Sequence, residues 1–367
     1  MNHAYFLARE NFQSLIDVLN SQGYRVHGPQ VRDSAIVFDE IDNVAQLPFG
    51  VHDQQSPGAY KISRSKTPRY FAWANGPQAL KPLLFSPRES LWRAERDVQG
   101  KLSFVASLAK ADKTAVIGVR SCDLAAMRIQ DQVFLAQEYK DDNYQVRRDA
   151  LFTVAVNCSH PAETCFCAST GDGPTAESGF DLVMTELDEG FLISAGSTAG
   201  EAVLSQLPLD QASDQQYFTA AEQAIAATNA QTRQLPSKVD EVLLNNLEHA
   251  RWQEVAERCL SCANCTMVCP TCFCHKEVEQ PALKGDTTEH LREWDSCFTQ
   301  GHSYIHGFVI RKETEKRYRQ WLTHKLATWV QQFGNSGCVG CGRCIAWCPA
   351  AIDLTEEANA IAGNGNE

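Results

Sequence analysis

Two copies of one cysteine run constrain this chain more than any other feature of its sequence. Both copies have the spacing Cys-x2-Cys-x2-Cys-x3-Cys-Pro, which bacterial ferredoxins use to bind iron–sulfur clusters. The runs consist of Cys259, Cys262, Cys265 and Cys269 before Pro270, and of Cys338, Cys341, Cys344 and Cys348 before Pro349. Three thiolates two residues apart can surround one cubane, whereas the fourth, beside a proline, points toward another cluster.

The doubled run therefore predicts two [4Fe–4S] clusters that exchange their fourth ligands. The first set is Cys259, Cys262, Cys265 and Cys348, and the second set is Cys338, Cys341, Cys344 and Cys269. Zinc is the alternative metal, because it also binds four cysteines, but zinc fingers usually carry two separate CxxC pairs. Two intact runs that each end in Cys-Pro favour iron–sulfur clusters over zinc.

The first part of the chain predicts a third metal site on a parallel sheet. Ala115–Val119 and Leu151–Val156 are short apolar runs typical of buried strands, and a helical pattern follows Asp123. Parallel strands end at the same edge of a sheet, where ligands bind in such folds. Four cysteines follow these strands: Cys122, Cys158, Cys165 and Cys167. Gly171 and Gly173 allow the backbone to approach closely, so we predict a third [4Fe–4S] cluster, with zinc as the competitor.

Three further cysteines have no assigned role in the sequence. Cys272 and Cys274 directly follow the first run, and Cys297 lies in the segment Trp294-Asp295-Ser296-Cys297. They could replace a ligand, shield a cluster, be structural, or bind a metal together with His275. His302 and His306 are four residues apart, but no pattern of acidic residues makes them a catalytic pair.

Length and composition predict a two-domain globular protein. The 367 residues are 44% hydrophobic, and the cysteines divide the chain into a domain at 1–237 and a domain at 238–367. The net charge of −12 argues against nucleic acid as the main partner. Runs such as Leu151–Val156 are too short to span a membrane, and Met1–Phe12 has no apolar core of a secretory signal. Fifteen cysteines without a signal favour metal ligands in the cytoplasm over disulfides.

The predicted fold class is a mixed α/β N-terminal domain followed by an all-helical ferredoxin-like domain with two [4Fe–4S] clusters. Phe12–Leu19 shows helical spacing, and 181–187 with 191–195 predicts a hairpin. Residues 197–237 are interpreted as a connecting region with one helix at 219–227. A helix is predicted over about 312–332, with its basic residues on a solvated face and Trp321 and Trp329 toward the core.

The motifs that are missing from the sequence also limit the function. The chain has no strand–GxGxxG–helix unit, no P-loop and no GxSxG nucleophile motif. It can carry electrons but shows no means for other chemistry. We therefore predict a non-catalytic electron-transfer subunit of an oxidoreductase complex, whose flavin, nicotinamide and catalytic groups lie on partner chains.

Several segments resemble two related families of redox subunits. One is the β subunit of cytoplasmic NAD(P)-linked [NiFe] hydrogenases of the sulfhydrogenase type, and the other is the A subunit of anaerobic sulfite reductase. The resemblance covers about Leu84 to Asp353. The segments that carry it are Gly118–Leu124, Asn157–Cys158, Thr164–Cys167, Cys259–Cys262, Cys269–Cys274, Trp294–Cys297 and Cys338–Cys344.

This resemblance implies an electron relay inside a complex and cluster ligation by the early cysteines. A subunit similar to flavin-containing ferredoxin–NAD(P) reductases would bind FAD and the nicotinamide. The catalytic partner would be a [NiFe] hydrogenase or a sirohaem sulfite reductase. The residues in the motifs slightly favour the hydrogenase. A zinc-bound assembly scaffold and a free-standing ferredoxin-like carrier remain as alternatives.

Overall fold

The computed structural model describes residues 4–78 and 80–363, and its largest element is an eight-stranded mixed sheet. In spatial order its strands are Asp210–Gln211, Tyr5–Ala8, Gly190–Ala195, Leu182–Glu186, Leu151–Val156, Thr114–Val119, Arg25–Arg32 and Ala35–Glu40. The four strands in the middle of the sheet that begin at Leu182, Leu151, Thr114 and Arg25 run parallel to one another. Central parallel strands are covered on both faces, which explains the almost uninterrupted apolar sequences of Leu151–Val156 and Thr114–Val119.

The predicted strand–helix–strand unit is present in this sheet. Thr114–Val119 pairs in parallel with Leu151–Val156, and the helix between them is Ser121–Phe134. The helix begins at Ser121, before the expected Asp123, so that Cys122 lies in its first turn. The predicted hairpin is also present, as the antiparallel strands Leu182–Glu186 and Gly190–Ala195.

A second sheet contradicts the prediction that the C-terminal region is all helical. Its antiparallel strands are, in spatial order, His275–Pro281, Thr287–Trp294, Arg88–Arg96 and Leu102–Ala106. Two of them come from the segment between the two cysteine runs. This segment is strongly polar and carries no local strand signature. Thr287–Trp294 pairs with His275–Pro281 on one side and with Arg88–Arg96, about two hundred residues earlier in the sequence, on the other.

Helices cover the remaining parts of the fold. They are Gln13–Ser21, Lys81–Leu84, Ser121–Phe134, Asp142–Asp149, Cys167–Thr170, Thr198–Leu204, Asp214–Asn229, Val239–Asn245, Arg251–Arg258, Asn264–Met267, Thr314–Thr323, Trp329–Phe333, Arg343–Ala346 and Leu354–Ile361. The predicted connecting region thus contains two capped helices, and the predicted helix at 219–227 is part of Asp214–Asn229. The predicted helix at 312–332 is present but passes through a π-helical segment at His324–Thr328.

Two short hairpins and two large apolar cores complete the architecture. The hairpins are Val51–Ser56 with Ala59–Arg64 and Tyr304–Ile305 with Phe308–Val309. One core lies between the large sheet and Gln13–Ser21, and the other joins the C-terminal helices around Trp252, Tyr318 and Trp321. Within the described residues, no helix has the length and apolar character that crossing a membrane would require.

Candidate iron–sulfur sites

The first predicted set of ligands gathers around a cavity in the C-terminal core. Cys259, Cys262, Cys265 and Cys348 all line this cavity, and Cys265 interacts electrostatically with the other three. The run winds around the cavity because Ser261 and Ala263 have left-handed backbone conformations, with φ of 51° and 66°. Phe298, Tyr318 and Trp321 form the apolar part of the wall. We call this group the first ferredoxin site.

The second predicted set lies beside the first. Cys344 interacts electrostatically with Cys338, Cys341 and Cys269, so the structure brings together the thiols of the second ferredoxin site. Cys269 comes from the first run, and Cys348 of the second run lines the cavity of the first site. The structure thus places Cys348 with the cysteines of the first run and Cys269 with those of the second run. That these cysteines exchange as cluster ligands stays a prediction.

The four early cysteines also converge, at the edge where the parallel strands end. Cys167 interacts electrostatically with Cys158, and Cys165 interacts with both of them. Cys122, on the first turn of its helix, faces Cys167. Gly173 permits this convergence, because a Cβ at this position would lie 3.0 Å from Sγ of Cys167 and 2.3 Å from the Ser121 hydroxyl oxygen. We call these four cysteines the N-terminal site.

The N-terminal site packs directly on the second ferredoxin site. The backbone N–H of Phe166 donates to the carbonyl oxygen of Gly340 over 2.8 Å, which joins the Thr164–Cys167 loop to the second run. The side-chain amide of Asn75 donates to the Cys341 carbonyl oxygen at 2.9 Å and approaches Sγ of Cys165 at 3.9 Å. The three cysteine groups therefore follow one another from the N-terminal site through the second to the first ferredoxin site.

The electrostatics of the three groups suit thiolates that are bound to metal. Burial raises the pKa of the thiols of Cys122, Cys165, Cys265 and Cys344 well above its ordinary value. Buried thiols of this kind stay protonated on their own, whereas coordination to iron removes the proton outright. The donor set therefore fits iron–sulfur clusters, because four soft sulfur atoms gather in each group and aromatic side chains form part of the wall of the first ferredoxin site.

Lys325 is a buried cation that faces these sulfurs, and the sequence interpretation missed it. Lys325 was assigned to a solvated helix face, but its side chain is 6% exposed. Its ammonium group donates to Sγ of Cys269 at 3.2 Å and to the Thr271 hydroxyl at 2.8 Å. Although burial lowers it, the pKa of Lys325 is raised overall by the neighbouring thiolates of Cys269 and Cys272. Helical spacing carries the signal that was overlooked, because Lys325 lies four residues from Trp321 and four from Trp329, which are both predicted to face the core.

The three unassigned cysteines form a separate group beside the second ferredoxin site. Cys272, Cys274 and Cys297 line a small cavity together with Lys325. His302 interacts with Cys274, whereas His275 was the histidine that the sequence offered as one possible partner of these cysteines. The Nδ1 atom of His275 lies 3.1 Å from the carbonyl oxygen of Phe273.

None of these groups has the geometry of a mononuclear site. Across residues 4–78 and 80–363, no three His, Cys, Asp or Glu side chains are arranged to hold a single metal ion. A cubane needs a wider arrangement, because each of its four ligands binds a different iron atom.

Comparison with known proteins supports this interpretation of the cysteines. Residues 258–352 match the 4Fe-4S dicluster domain family, and this range contains both cysteine runs. The chain is 28% identical to the sulfhydrogenase 2 subunit beta of Pyrococcus furiosus over 357 aligned residues. The alignment covers 95% of this chain and 95% of that protein. The predicted resemblance to sulfhydrogenase β subunits and dicluster proteins is thus confirmed, and the C-terminal region is an iron–sulfur region.

Proposed function

We propose that this protein is the electron-transfer subunit of a cytoplasmic [NiFe] hydrogenase complex and relays electrons through three [4Fe–4S] clusters. Cys259, Cys262, Cys265 and Cys348 would hold one cluster, and Cys338, Cys341, Cys344 and Cys269 a second. The third would be held by Cys122, Cys158, Cys165 and Cys167. A [4Fe–4S] cluster takes up and releases one electron at a time.

The observation that carries this proposal is the direct packing of the N-terminal site on the second ferredoxin site. The hydrogen bond from Phe166 to Gly340 fixes two ligand-bearing loops against each other, and Cys341 interacts electrostatically with Cys122, Cys165 and Cys167. Three adjacent redox groups that line up through a protein suit a relay better than a store of metal. The fifteen free thiols suit a reducing compartment.

The first ferredoxin site supplies a surface for a redox partner. Cys262 is exposed, and the neighbouring Leu260 is 68% exposed, so this end of the row reaches the surface. We assign the flavin-containing, NAD(P)-binding reductase-like subunit and the catalytic hydrogenase subunits to the two ends of the row. A hydrogenase is preferred over anaerobic sulfite reductase as the catalytic partner because the similar protein is a sulfhydrogenase subunit.

The N-terminal cluster is tested by replacing Cys158 with serine in protein that is purified under anaerobic conditions. We expect the variant to lose about four irons and four acid-labile sulfides per chain, because a cubane that loses a thiolate ligand is released or degraded. The neighbouring substitution Ser159→Ala is the control and should keep the wild-type iron content. An unchanged iron content in Cys158→Ser would contradict the third cluster, and zinc in place of iron would support the assembly scaffold instead.

The buried ammonium group of Lys325 is expected to raise the reduction potential of the cluster in the second ferredoxin site. Replacing Lys325 with methionine should lower that potential by roughly 50–150 mV, because a unit charge about 4 Å away contributes a few kcal/mol inside a protein and about 59 mV corresponds to a tenfold change in a one-electron equilibrium. A redox titration followed by electron paramagnetic resonance measures the shift. Lys316→Met, on the exposed face of the preceding helix, is the control and should leave all potentials unchanged.

A further inference from the structure

One face of the helix Thr314–Thr323 presents polar groups to the first ferredoxin site. Thr314, Arg317, Tyr318 and Trp321 share this face, because residues three and four apart lie on the same side of an α-helix. Tyr318 and Trp321 line the cavity of the site together with its four cysteines. The polar atoms of this face are therefore next to the place where the cluster would be held.

Arg317 is a buried charge beside the first cysteine run. The residue is 5% exposed, and its Nη2 atom lies 3.4 Å from Oγ of Ser261 and 3.2 Å from Oγ1 of Thr314. Ser261 lies between Cys259 and Cys262, and its backbone N–H donates to Sγ of Cys259 at 3.4 Å. The guanidinium group thus contacts the loop that carries two of the proposed ligands.

This guanidinium group has no anionic partner in the chain as far as the structure describes it. Arg317 forms no ion pair there, whereas Lys316 and Arg319 on the same helix both pair with glutamates. Its Nε and Nη1 atoms also have no hydrogen-bond partner among the described residues. A buried charge without a counter-charge is strongly destabilising. A [4Fe–4S] cluster with four thiolate ligands is negatively charged overall and would supply the missing counter-charge.

The hydroxyl group of Tyr318 is a second donor without an acceptor at the same site. Tyr318 is 2% exposed, and its hydroxyl has no hydrogen-bond partner among the described side chains and backbone. The rings of Trp252, Phe298 and Trp321 pack around its ring at centroid distances of 6.2, 6.3 and 5.5 Å. A buried tyrosine hydroxyl normally finds an acceptor. The cavity that Tyr318 lines is where the sulfur atoms of a cluster would offer one.

We propose that Arg317 and Tyr318 contact the cluster of the first ferredoxin site and raise its reduction potential. The proposal rests on the proposed function, which assigns a [4Fe–4S] cluster to this site. Hydrogen bonds to the sulfur atoms of a cluster change its potential. A guanidinium charge and a hydroxyl donor both favour the reduced form, because this form carries one more negative charge than the oxidised form.

The other two cysteine groups each have a buried cation as well. Lys325 donates to Sγ of Cys269 in the second ferredoxin site, and the buried Arg120 lies two residues before Cys122 of the N-terminal site. Both terminal nitrogens of Arg120 donate to backbone carbonyl oxygens, whereas Nη1 of Arg317 has no acceptor in the described chain. One buried cation beside each group fits a row of three anionic clusters.

A redox titration of the anaerobically purified protein, followed by electron paramagnetic resonance, tests the role of Arg317. Cys262→Ser identifies the signal of the first ferredoxin site, because it changes a proposed ligand of that cluster alone. In Arg317→Met, the reduction equilibrium constant of this cluster should fall about tenfold or more, which corresponds to a potential about 59 mV lower. Arg317→Lys keeps the charge and should recover most of the loss. Arg319→Met removes a paired charge from the same helix and should leave the potential unchanged.

Tyr318→Phe provides a second test that does not depend on whether Arg317→Met folds, because it removes a single oxygen atom. The potential of the same cluster should fall, and its reduced form should lose the coupling of one proton that exchanges in D2O, as measured by electron–nuclear double resonance. Tyr304→Phe, at a side chain that is 59% exposed, is the control and should change neither quantity.

The outcomes separate this inference from the proposed function. If the wild-type protein contains its clusters but Arg317→Met and Tyr318→Phe leave the potential and the proton coupling unchanged, the two contacts are overturned and the relay stands. A more stable Tyr318→Phe protein with an unchanged potential would show that the hydroxyl is an unsatisfied group in the core. Wild-type protein without iron would contradict the proposed function itself.

Discussion

Replacing Gly340 with alanine is expected to destabilise the protein by about 3 kcal/mol or more. The alanine would hold a left-handed backbone conformation, and its Cβ would overlap with the N-terminal site, which packs against this position. Gly340 has a φ of 62°, and a Cβ there would lie 2.5 Å from the backbone nitrogen of Cys167 and 2.6 Å from its Cα. These are main-chain atoms that cannot rotate away. The N-terminal site would have to move off the second ferredoxin site.

Gly334→Ala is a matched control for this substitution. Gly334 also has a left-handed conformation, with a φ of 75°, but a Cβ there would meet no atom within 4 Å. Its cost is therefore limited to the backbone penalty of about 1–2 kcal/mol. Thermal unfolding under anaerobic conditions measures both effects, and rapid-mixing kinetics measure electron transfer between the clusters. Equal destabilisation by the two alanines would show that Gly340 and Cys167 are packed less closely than the structure indicates.

The sequence predicted those parts of the candidate sites that depend on local spacing. The two cysteine runs determine their own loop geometry, since each ligand lies a few residues from the next. The early cysteines could be placed together because Thr114–Val119 and Leu151–Val156 are apolar enough to be recognised as parallel strands. Once these strands are parallel, Cys122 and Cys158 necessarily lie at the same edge of the sheet.

The parts that sequence analysis missed depend on pairing between distant segments. The sheet formed by Arg88–Arg96 and Thr287–Trp294 is polar and is stabilised by cross-strand contacts, so neither segment shows the apolar alternation that predicts a strand from its own sequence. His302 interacts with Cys274 from a turn that lies 28 residues further along the chain, which local spacing could not indicate. Lys325, by contrast, could have been found from helical spacing, because it lies four residues after Trp321 and four before Trp329, which were both predicted to face the core.

Replacing Arg343 with methionine is expected to cost about 3–5 kcal/mol of stability, because it leaves a buried carboxylate without its partner charge. Arg343 and Asp123 form an ion pair at 2.8 Å, and their side chains are 1% and 2% exposed. The guanidinium also donates to the carbonyl oxygen of Gly76 at 2.9 Å. In the sequence, Arg343 lies between Cys341 and Cys344, and Asp123 follows Cys122, so this pair joins the segments that carry the two groups of cysteines.

Arg25→Met is the control for the loss of an ion pair. Arg25 and Glu40 are 2.7 Å apart, but both side chains are 53% exposed, and such a pair contributes about 0–1 kcal/mol. Chemical denaturation under anaerobic conditions compares the two variants, and Arg343→Met with Asp123→Asn restores a neutral pair. If the double variant recovers much of the lost stability, the cost comes from the unpaired charge. If Arg343→Met is no worse than Arg25→Met, the ion pair does not hold the two sites together, and the hydrogen bonds from Phe166 to Gly340 and from Asn75 to Cys341 are the contacts to test next.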